Sequence, residues 1–220
     1  MDLRLLAIVD PAVLAGHDLV AAARSAEAGG ATALQLRMKG ASAADLYATT
    51  RRLMEALSIP VYVNDRADVA WAARAHGVHL GQGDVPAGAI RAILPSSLRI
   101  GISVGSPAEA EIARRATVDY WSVGPLYRTA SKPDAGVALG PSGFSRLAGL
   151  APAGMPVIAI GGITASNAGE VIRAGAIGVA VISAIFGAPD VSGAARAIRA
   201  AVDAALGSRP APPESPPGAP

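Results

Sequence analysis

Eight short apolar runs alternate with Ala-rich stretches of helical spacing along this chain of 220 residues, and no other feature limits the fold as strongly. This alternation predicts a parallel α/β fold. Eight units within roughly 205 residues match a closed (β/α)₈ barrel, because an open doubly wound sheet usually has about five or six strands and a GxGxxG turn, which is absent here. The runs begin near Leu3, Thr32, Pro60, Gly77, Arg99, Asp119, Pro156 and Gly178.

Helix candidates lie between these runs. The candidate nearest the C-terminus has five apolar residues at helical spacing, which are Val191, Ala195, Ile198, Val202 and Ala205. We expect the helix face that they share to pack on the sheet. The candidates span Asp18 to Ala28, Ser42 to Leu57, Pro107 to Arg115, Ser166 to Ala174, and Val191 to Leu206. We therefore expect a single TIM barrel, of the α/β class, over residues 1–207.

Residues 208–220 differ sharply from the rest of the chain. They contain six prolines among thirteen residues and offer little to bury. Proline lacks the amide hydrogen that a helix or sheet needs. We expect a disordered tail there.

Composition excludes several classes of protein. The net charge of +2 is too small to indicate nucleic-acid binding, and the absence of cysteine excludes a disulfide scaffold and a thiol nucleophile. No apolar stretch resembles a signal peptide or a membrane span. We expect a cytoplasmic protein that binds neither nucleic acid nor membrane, and we leave open whether it forms a homo-oligomer.

Polar residues cluster where the predicted strands end, which is where barrels of this class place their chemistry. Gln35, Arg37 and Lys39 are two residues apart, so they share one face of an extended strand. We expect that face at the opening of the barrel, although a solvated strand end would show the same pattern. Asn64, Ser103 and Thr129 also follow strands.

Asp65 and Asp84 follow neighbouring predicted strands, and two close carboxylates repel unless a proton or a cation lies between them. Two carboxylates without a larger cage favour Mg²⁺, which completes its octahedron with water and substrate phosphate. The alternative is that Asp65 or Asp84 caps the helix that follows it.

Gly161 and Gly162 follow the seventh predicted strand, and Ser183 follows the eighth. Together they predict an anion site built from backbone amides and a hydroxyl, although a glycine pair is also typical of a simple turn. His79 lies between apolar neighbours, so we interpret it as a packed, hydrogen-bonded histidine and not as a general base. Two anion sites predict substrates with two phosphorylated groups.

In this order the residues resemble the thiamine-phosphate synthase family, from about Leu3 to Leu206. The resemblance rests on seven segments: QLRMK from Gln35, VNDRADVA from Val63, GVHLGQGD from Gly77, GIS from Gly101, VGPLYRTASKPDA from Val123, AIGGI from Ala159 and VAVISAI from Val179. It implies that a pyrimidine diphosphate and a thiazole phosphate condense to thiamine phosphate and diphosphate, with Mg²⁺ as cofactor and these two small molecules as substrates.

The resemblance also implies a role for each matching residue. Gln35, Arg37, Lys39 and Asn64 would bind the pyrimidine diphosphate, Asp65 and Asp84 would hold Mg²⁺, and Ser103 would lie beside the pyrimidine. Lys132 would bind the departing diphosphate. Catalysis would depend on Arg37, Lys39, Ser103 and Lys132, and the thiazole phosphate would contact Thr129, Ala130, Ser131, Gly162, Ile182 and Ser183.

Three positions depart from the family pattern. Ser131 replaces a threonine, Arg128 replaces a small residue or proline, and no histidine follows Ser103. Three other activities remain as alternatives: a thiazole tautomerase on the same barrel, a silent phosphate-binding barrel, and a phosphate-dependent isomerase or epimerase. The pair Asp65 and Asp84, with Arg37 and Lys132, argues against the tautomerase, and the absence of cysteine makes the isomerase the weakest alternative.

Overall fold

The computed structural model of the chain describes residues 1–14, 16–129 and 136–208. In these residues eight parallel strands pair in sequence order, and β8 returns to β1, so the sheet closes into a barrel as predicted. The strands are β1 (Leu5–Val9), β2 (Ala33–Leu36), β3 (Val61–Asn64), β4 (Gly77–Leu80), β5 (Arg99–Val104), β6 (Tyr120–Val123), β7 (Val157–Ile160) and β8 (Val179–Val181).

Helices follow the strands on the outside of the barrel. They are α1 (Leu19–Ala28), α2 (Ala43–Ala56), α3 (Ala67–Ala72), α4 (Ala87–Ile93), α5 (Pro107–Arg115), α6 (Gly140–Ala148), α7 (Ala168–Arg173), α8 (Ser183–Phe186) and α9 (Val191–Gly207), and Pro11–Val13 form a 3₁₀ turn. All five predicted helices are present within two residues of their predicted ends. The predicted apolar face of α9 is confirmed, since its five residues are its buried ones.

The buried side chains of the strands form two layers, and successive residues of a strand belong to different layers. One layer joins the outer faces of the strands to the helices and contains Leu5, Ala7 and Val9 of β1. The other fills the inside of the barrel and contains Leu6 and Ile8 of the same strand. Since successive side chains of a strand point to opposite faces, each strand supplies both layers.

Two tyrosines occupy the barrel interior because two glycines make room for them. Tyr62 and Tyr120 meet edge to face with their ring centres 6.0 Å apart. A Cβ on Gly77 would overlap the ring of Tyr62, and a Cβ on Gly101 would overlap the ring of Tyr120. The interior below the site is therefore filled by rings from β3 and β6 that lie over glycines of β4 and β5.

Replacement of Gly101 by Ala is expected to destabilise the protein by about 2 kcal/mol or more, because the added methyl group forces a buried ring out of its place. Urea unfolding measures the loss. The matched control is Gly88→Ala in α4, where no atom lies within 4 Å of the added Cβ. There we expect a gain of about 0.5 kcal/mol from the better helix former. Equal stability of the two variants would contradict the packing argument.

The chain leaves the barrel at the end of α9. That helix ends at Gly207, and the Ser208 hydroxyl donates to the Ala205 carbonyl at 2.9 Å. Residues 209–220, which make up nearly all of the predicted tail, lie outside the described residues, so its disorder stays a prediction. Among the helices of the described part, none is long and apolar enough to cross a membrane.

Candidate active site

A cavity opens at the carboxyl ends of the strands, which we call the barrel mouth. Ten of the fourteen residues predicted for the site line it: Gln35, Arg37, Lys39, Asn64, Asp65, Ser103, Thr129, Gly162, Ile182 and Ser183. Asp84 lies next to Asp65 and Gly81 of this lining. The remaining three, Ala130, Ser131 and Lys132, lie outside the described residues. The barrel closure thus brings together residues that are up to about 150 positions apart in the sequence.

Gln35 and Asn64 form a polar pair at the base of the cavity. The Gln35 side-chain amide donates to Asn64 Oδ1 at 2.8 Å. Gln35 Oε1 is buried and has no hydrogen-bond partner among the described residues. A buried acceptor without a partner costs about 1–3 kcal/mol, so a ligand that donates a hydrogen bond there is favoured.

Asp10 is a charged residue of the mouth that our sequence reasoning missed. It follows β1, and its carboxylate forms a largely buried ion pair with the Arg37 guanidinium. The same carboxylate accepts the Ala12 amide at 3.0 Å, which fixes its orientation. The guanidinium is therefore held at one side of the cavity. The sequence signal for Asp10 is its position directly after the first apolar run. The predicted site contained residues from the ends of later strands and none from the end of the first.

Asp65 and Asp84 lie side by side, as predicted from neighbouring strands. Burial and the adjacent Asp84 carboxylate raise the pKa of Asp65 to about 6, against the opposing charges of Lys39 and Arg37. The Asp65 backbone lies in the left-handed region with φ of 65°, and its amide donates to the His79 carbonyl at 2.8 Å. This unusual backbone, which Asp tolerates better than most residues, fixes Asp65 at the mouth.

Neither carboxylate caps a helix, so the capping alternative for Asp65 and Asp84 is wrong. The residues at the N-terminal caps of α3 and α4 are Arg66 and Pro86, and neither helix has a side-chain cap. Asp84 instead accepts the Gly81 amide at 2.6 Å within its own loop. The described residues contain no cluster of three or more His, Asp or Glu side chains suited to a metal.

His79 is packed and hydrogen-bonded, which agrees with our interpretation. Its Nδ1 lies 2.9 Å from the Tyr120 hydroxyl, and its Nε2 lies 3.0 Å from Ser103 Oγ. Gln82 donates from its side-chain amide to the Ser103 carbonyl at 2.6 Å. Ser103 is therefore held from two sides at the edge of the cavity.

The glycines after β7 are required by close packing against the loop that follows β6. Gly161 and Gly162 have φ of 98° and 65°, and a Cβ on either would overlap backbone or side-chain atoms of residues 125–128. Both glycines line the cavity beside Ser183. The glycine pair thus does more than turn the chain, because it leaves room for the loop after β6 to pack against this backbone.

Tyr127 ties the loop after β6 to helix α7. Its hydroxyl donates to Glu170 Oε2 at 3.0 Å, and burial together with this contact raises the pKa of Tyr127 to about 12. The neighbouring Arg128, which departs from the family pattern, is exposed. Thr129 follows it and lines the cavity.

Known proteins of similar sequence and structure point to one family. A model described as thiamine monophosphate synthase matches residues 5–185. A thiamine-phosphate synthase of Methanospirillum hungatei is 42% identical over 89% of this chain and 96% of its own length, and one of a Roseiflexus species is 46% identical over 87% and 80%. The solved thiamine phosphate pyrophosphorylase of Pyrococcus furiosus is 35% identical, with a TM-score of 0.82 over 93% of this chain and 98% of its own.

Proposed function

This chain belongs to the thiamine monophosphate synthase family and is a transferase of that type, and we propose that the barrel mouth is where it joins its two substrates. The first substrate is 4-amino-2-methyl-5-hydroxymethylpyrimidine diphosphate, and the second is 4-methyl-5-hydroxyethylthiazole phosphate. The products are thiamine phosphate and diphosphate. The observation that supports this site best is that Arg37, Lys39 and Asp65 line one cavity, with the Asp84 carboxylate next to that of Asp65.

Asp65 and Asp84 fit Mg²⁺. Burial and the adjacent Asp84 carboxylate raise the pKa of Asp65, and a divalent cation would relieve the repulsion between the two carboxylates. Two carboxylates leave most of an octahedron for water and phosphate oxygens, which suits Mg²⁺ better than Ca²⁺. When bound, Mg²⁺ supplies positive charge to the diphosphate leaving group.

Gln35, Asn64 and Ser103 suit the pyrimidine ring. The free Gln35 Oε1 is an acceptor for an exocyclic amino group, and Asn64 holds the Gln35 amide in place. Ser103 supplies a hydroxyl at the edge of the same cavity. These three groups orient the ring so that its methylene carbon faces the second substrate.

Arg37, Lys39 and Lys132 suit the diphosphate. Asp10 orients the Arg37 guanidinium, and Lys39 lies close enough to Asp65 to oppose the rise of its pKa. Lys39 and Lys132 are the two lysines of the whole chain. Lys132 belongs to this set through the family resemblance.

The thiazole phosphate is assigned to the other side of the mouth. Thr129, Gly162, Ile182 and Ser183 line that side and offer hydroxyls and backbone amides. Ala130 and Ser131 complete the set through the resemblance. Backbone amides and hydroxyls can bind the thiazole phosphate without a cation. The thiazole phosphate and the diphosphate are therefore assigned to separate places in the mouth.

The reaction then follows from charge and position. The bond between the pyrimidine methylene carbon and the diphosphate oxygen breaks, and its electron pair leaves with the diphosphate. The electron-rich aminopyrimidine stabilises the cationic methylene, and the thiazole nitrogen donates its lone pair to form the new C–N bond. Because negative charge builds on the leaving group, Arg37, Lys39 and Lys132 stabilise the transition state more than the ground state.

A synthesis assay with both substrates tests the proposal. We expect thiamine phosphate and diphosphate in equal amounts when both substrates are present, and neither product when one is omitted. Tautomerisation of the thiazole phosphate without synthesis would favour the tautomerase alternative, and tight binding without any turnover would favour the silent barrel. A cytoplasmic location stays a separate prediction, and the oligomeric state stays open.

A further inference from the structure

Three hydrogen-bonded side chains connect the barrel interior to the cavity: Tyr120 is fully buried, and His79 and Ser103 line the cavity. Residues Asn64, His79, Gly101 and Tyr120 occupy one level of the barrel, paired across β3 to β6. Gly101 therefore separates His79 from Tyr120 in the sheet, and its missing side chain leaves the space that the Tyr120 ring fills. The phenol reaches across β5 and places its hydroxyl 2.9 Å from His79 Nδ1.

The direction of this hydrogen bond follows from burial. Tyr120 has no exposed surface, and His79 Nδ1 is the one hydrogen-bond partner of its hydroxyl within the described residues. A buried hydroxyl hydrogen without an acceptor costs about 1–3 kcal/mol, so the Tyr120 O–H donates to Nδ1. Burial also raises the pKa of Tyr120 well above its ordinary value, which keeps the phenol protonated.

The donor at Nδ1 decides the tautomer of His79. A neutral imidazole has one N–H, so a ring that accepts at Nδ1 carries its hydrogen on Nε2. Nε2 lies 3.0 Å from Ser103 Oγ, and its hydrogen points along that contact. With the opposite tautomer, Ser103 would donate to His79 and the Tyr120 hydrogen would have no acceptor.

We propose that Tyr120 is a positioning residue, which holds His79 in its Nε2–H form and so makes the Ser103 hydroxyl a hydrogen-bond donor to the bound substrate. Because Ser103 Oγ accepts from His79, its own hydrogen is left for the cavity. The ligand atom that it serves is an acceptor, such as a pyrimidine ring nitrogen or a diphosphate oxygen. The identity of that ligand rests on the function proposed above, whereas the tautomer does not.

The tautomer is measured first, in the protein without substrates. The chain has three histidines, so ¹⁵N-labelled histidine gives few signals, and long-range ¹H–¹⁵N spectra distinguish protonated from unprotonated ring nitrogens. We expect His79 to be protonated at Nε2 alone. His76 serves as an internal reference, because the Val61 amide donates to its Nδ1 at 3.1 Å. His17→Gln simplifies the assignment. A proton on His79 Nδ1 would overturn the proposal, even if the protein proves to be an active synthase.

Kinetics of Tyr120→Phe then test the effect on Ser103. We expect kcat for synthesis to fall about tenfold, with an unchanged KM for thiazole phosphate and a mixed His79 tautomer. The matched control is Tyr62→Phe, which removes the same atom from the neighbouring tyrosine, whose hydroxyl contacts Met1 Sδ at 3.1 Å and not a histidine. Its kcat should not change.

A double-mutant cycle separates positioning from packing. If Tyr120 acts through Ser103, Ser103→Ala should lower kcat much less in the Tyr120→Phe background than in the parent. The same factor in both backgrounds would show that Tyr120 contributes packing alone, and the proposal would fall. If Tyr120→Phe does not fold, the histidine spectrum of the parent protein still tests the proposal, because it shows which ring nitrogen of His79 is protonated.

Discussion

Asp84→Asn and Asp65→Asn are each expected to lower kcat/KM for thiamine phosphate synthesis by roughly 100-fold to 1,000-fold. Each change removes one of two adjacent carboxylates that we assign to Mg²⁺. The remaining activity should no longer rise with Mg²⁺ concentration. Folding should be preserved, since either change removes like-charge repulsion and Asn, like Asp, tolerates the left-handed backbone at position 65.

The matched control for this experiment is Asp68→Asn. Asp68 lies three residues after Asp65, but its carboxylate is exposed and pairs with Arg66. We expect this variant to keep the activity and the Mg²⁺ dependence of the parent. Rates measured over a series of Mg²⁺ concentrations, with melting temperatures of all variants, distinguish the cases. Full activity of the parent protein in EDTA would sink the assignment of a metal.

Lys132→Ala should lower kcat about 30-fold to 1,000-fold, while the Kd for thiazole phosphate hardly changes. A charge-assisted contact to the leaving diphosphate strengthens as the C–O bond breaks, and one such contact is worth about 2–4 kcal/mol in a site poor in water. If thiazole phosphate were the sole substrate, no diphosphate would leave, and the Lys132 ammonium would have no group to stabilise. Single-turnover rates together with titration of thiazole phosphate measure both quantities.

Two further variants sharpen that experiment. Arg128→Ala removes a positive charge from an exposed residue of the same loop, so its kcat should stay near that of the parent. Lys132→Arg restores the charge and should recover part of the rate. If Lys132→Ala weakens thiazole phosphate binding and leaves kcat unchanged, Lys132 belongs to the other anion site.

The fold was predictable because its signals are local. Each strand is a short apolar run, and three of the predicted helices are capped by Asp18, Ser42 and Ser106, whose side chains accept backbone amides of the first turn. Helices α3 and α7 span six residues and α8 spans four. Periodicity is weak over such lengths, so α3 and α8 were not predicted and α7 was predicted slightly too long. Helices α4 and α6 were not predicted either, and neither has a side-chain cap at its start.

The placement of the site was predictable for a different reason. In a closed parallel barrel all strand ends meet at one mouth, so residues such as Gln35, Asn64 and Ser103 converge once the fold is known. Their partners were not predictable. Nothing in the sequence shows that Asp10 pairs with Arg37, or that the Tyr120 hydroxyl reaches His79, because both contacts depend on side-chain direction across strands.

Gly101 and Tyr120 also limit how this barrel can change by mutation. A larger residue at Gly101 collides with the ring of Tyr120, and a smaller residue at Tyr120 leaves a void over Gly101 and removes the donor to His79. Tyr120→Phe keeps the ring and is the mildest single change, whereas every other single change forces an overlap or leaves a void, so larger changes at the two positions have to occur together. A combinatorial library that varies both at once should yield folded clones with other pairs, whereas libraries that vary one position alone should return the parent residue or, at position 120, phenylalanine.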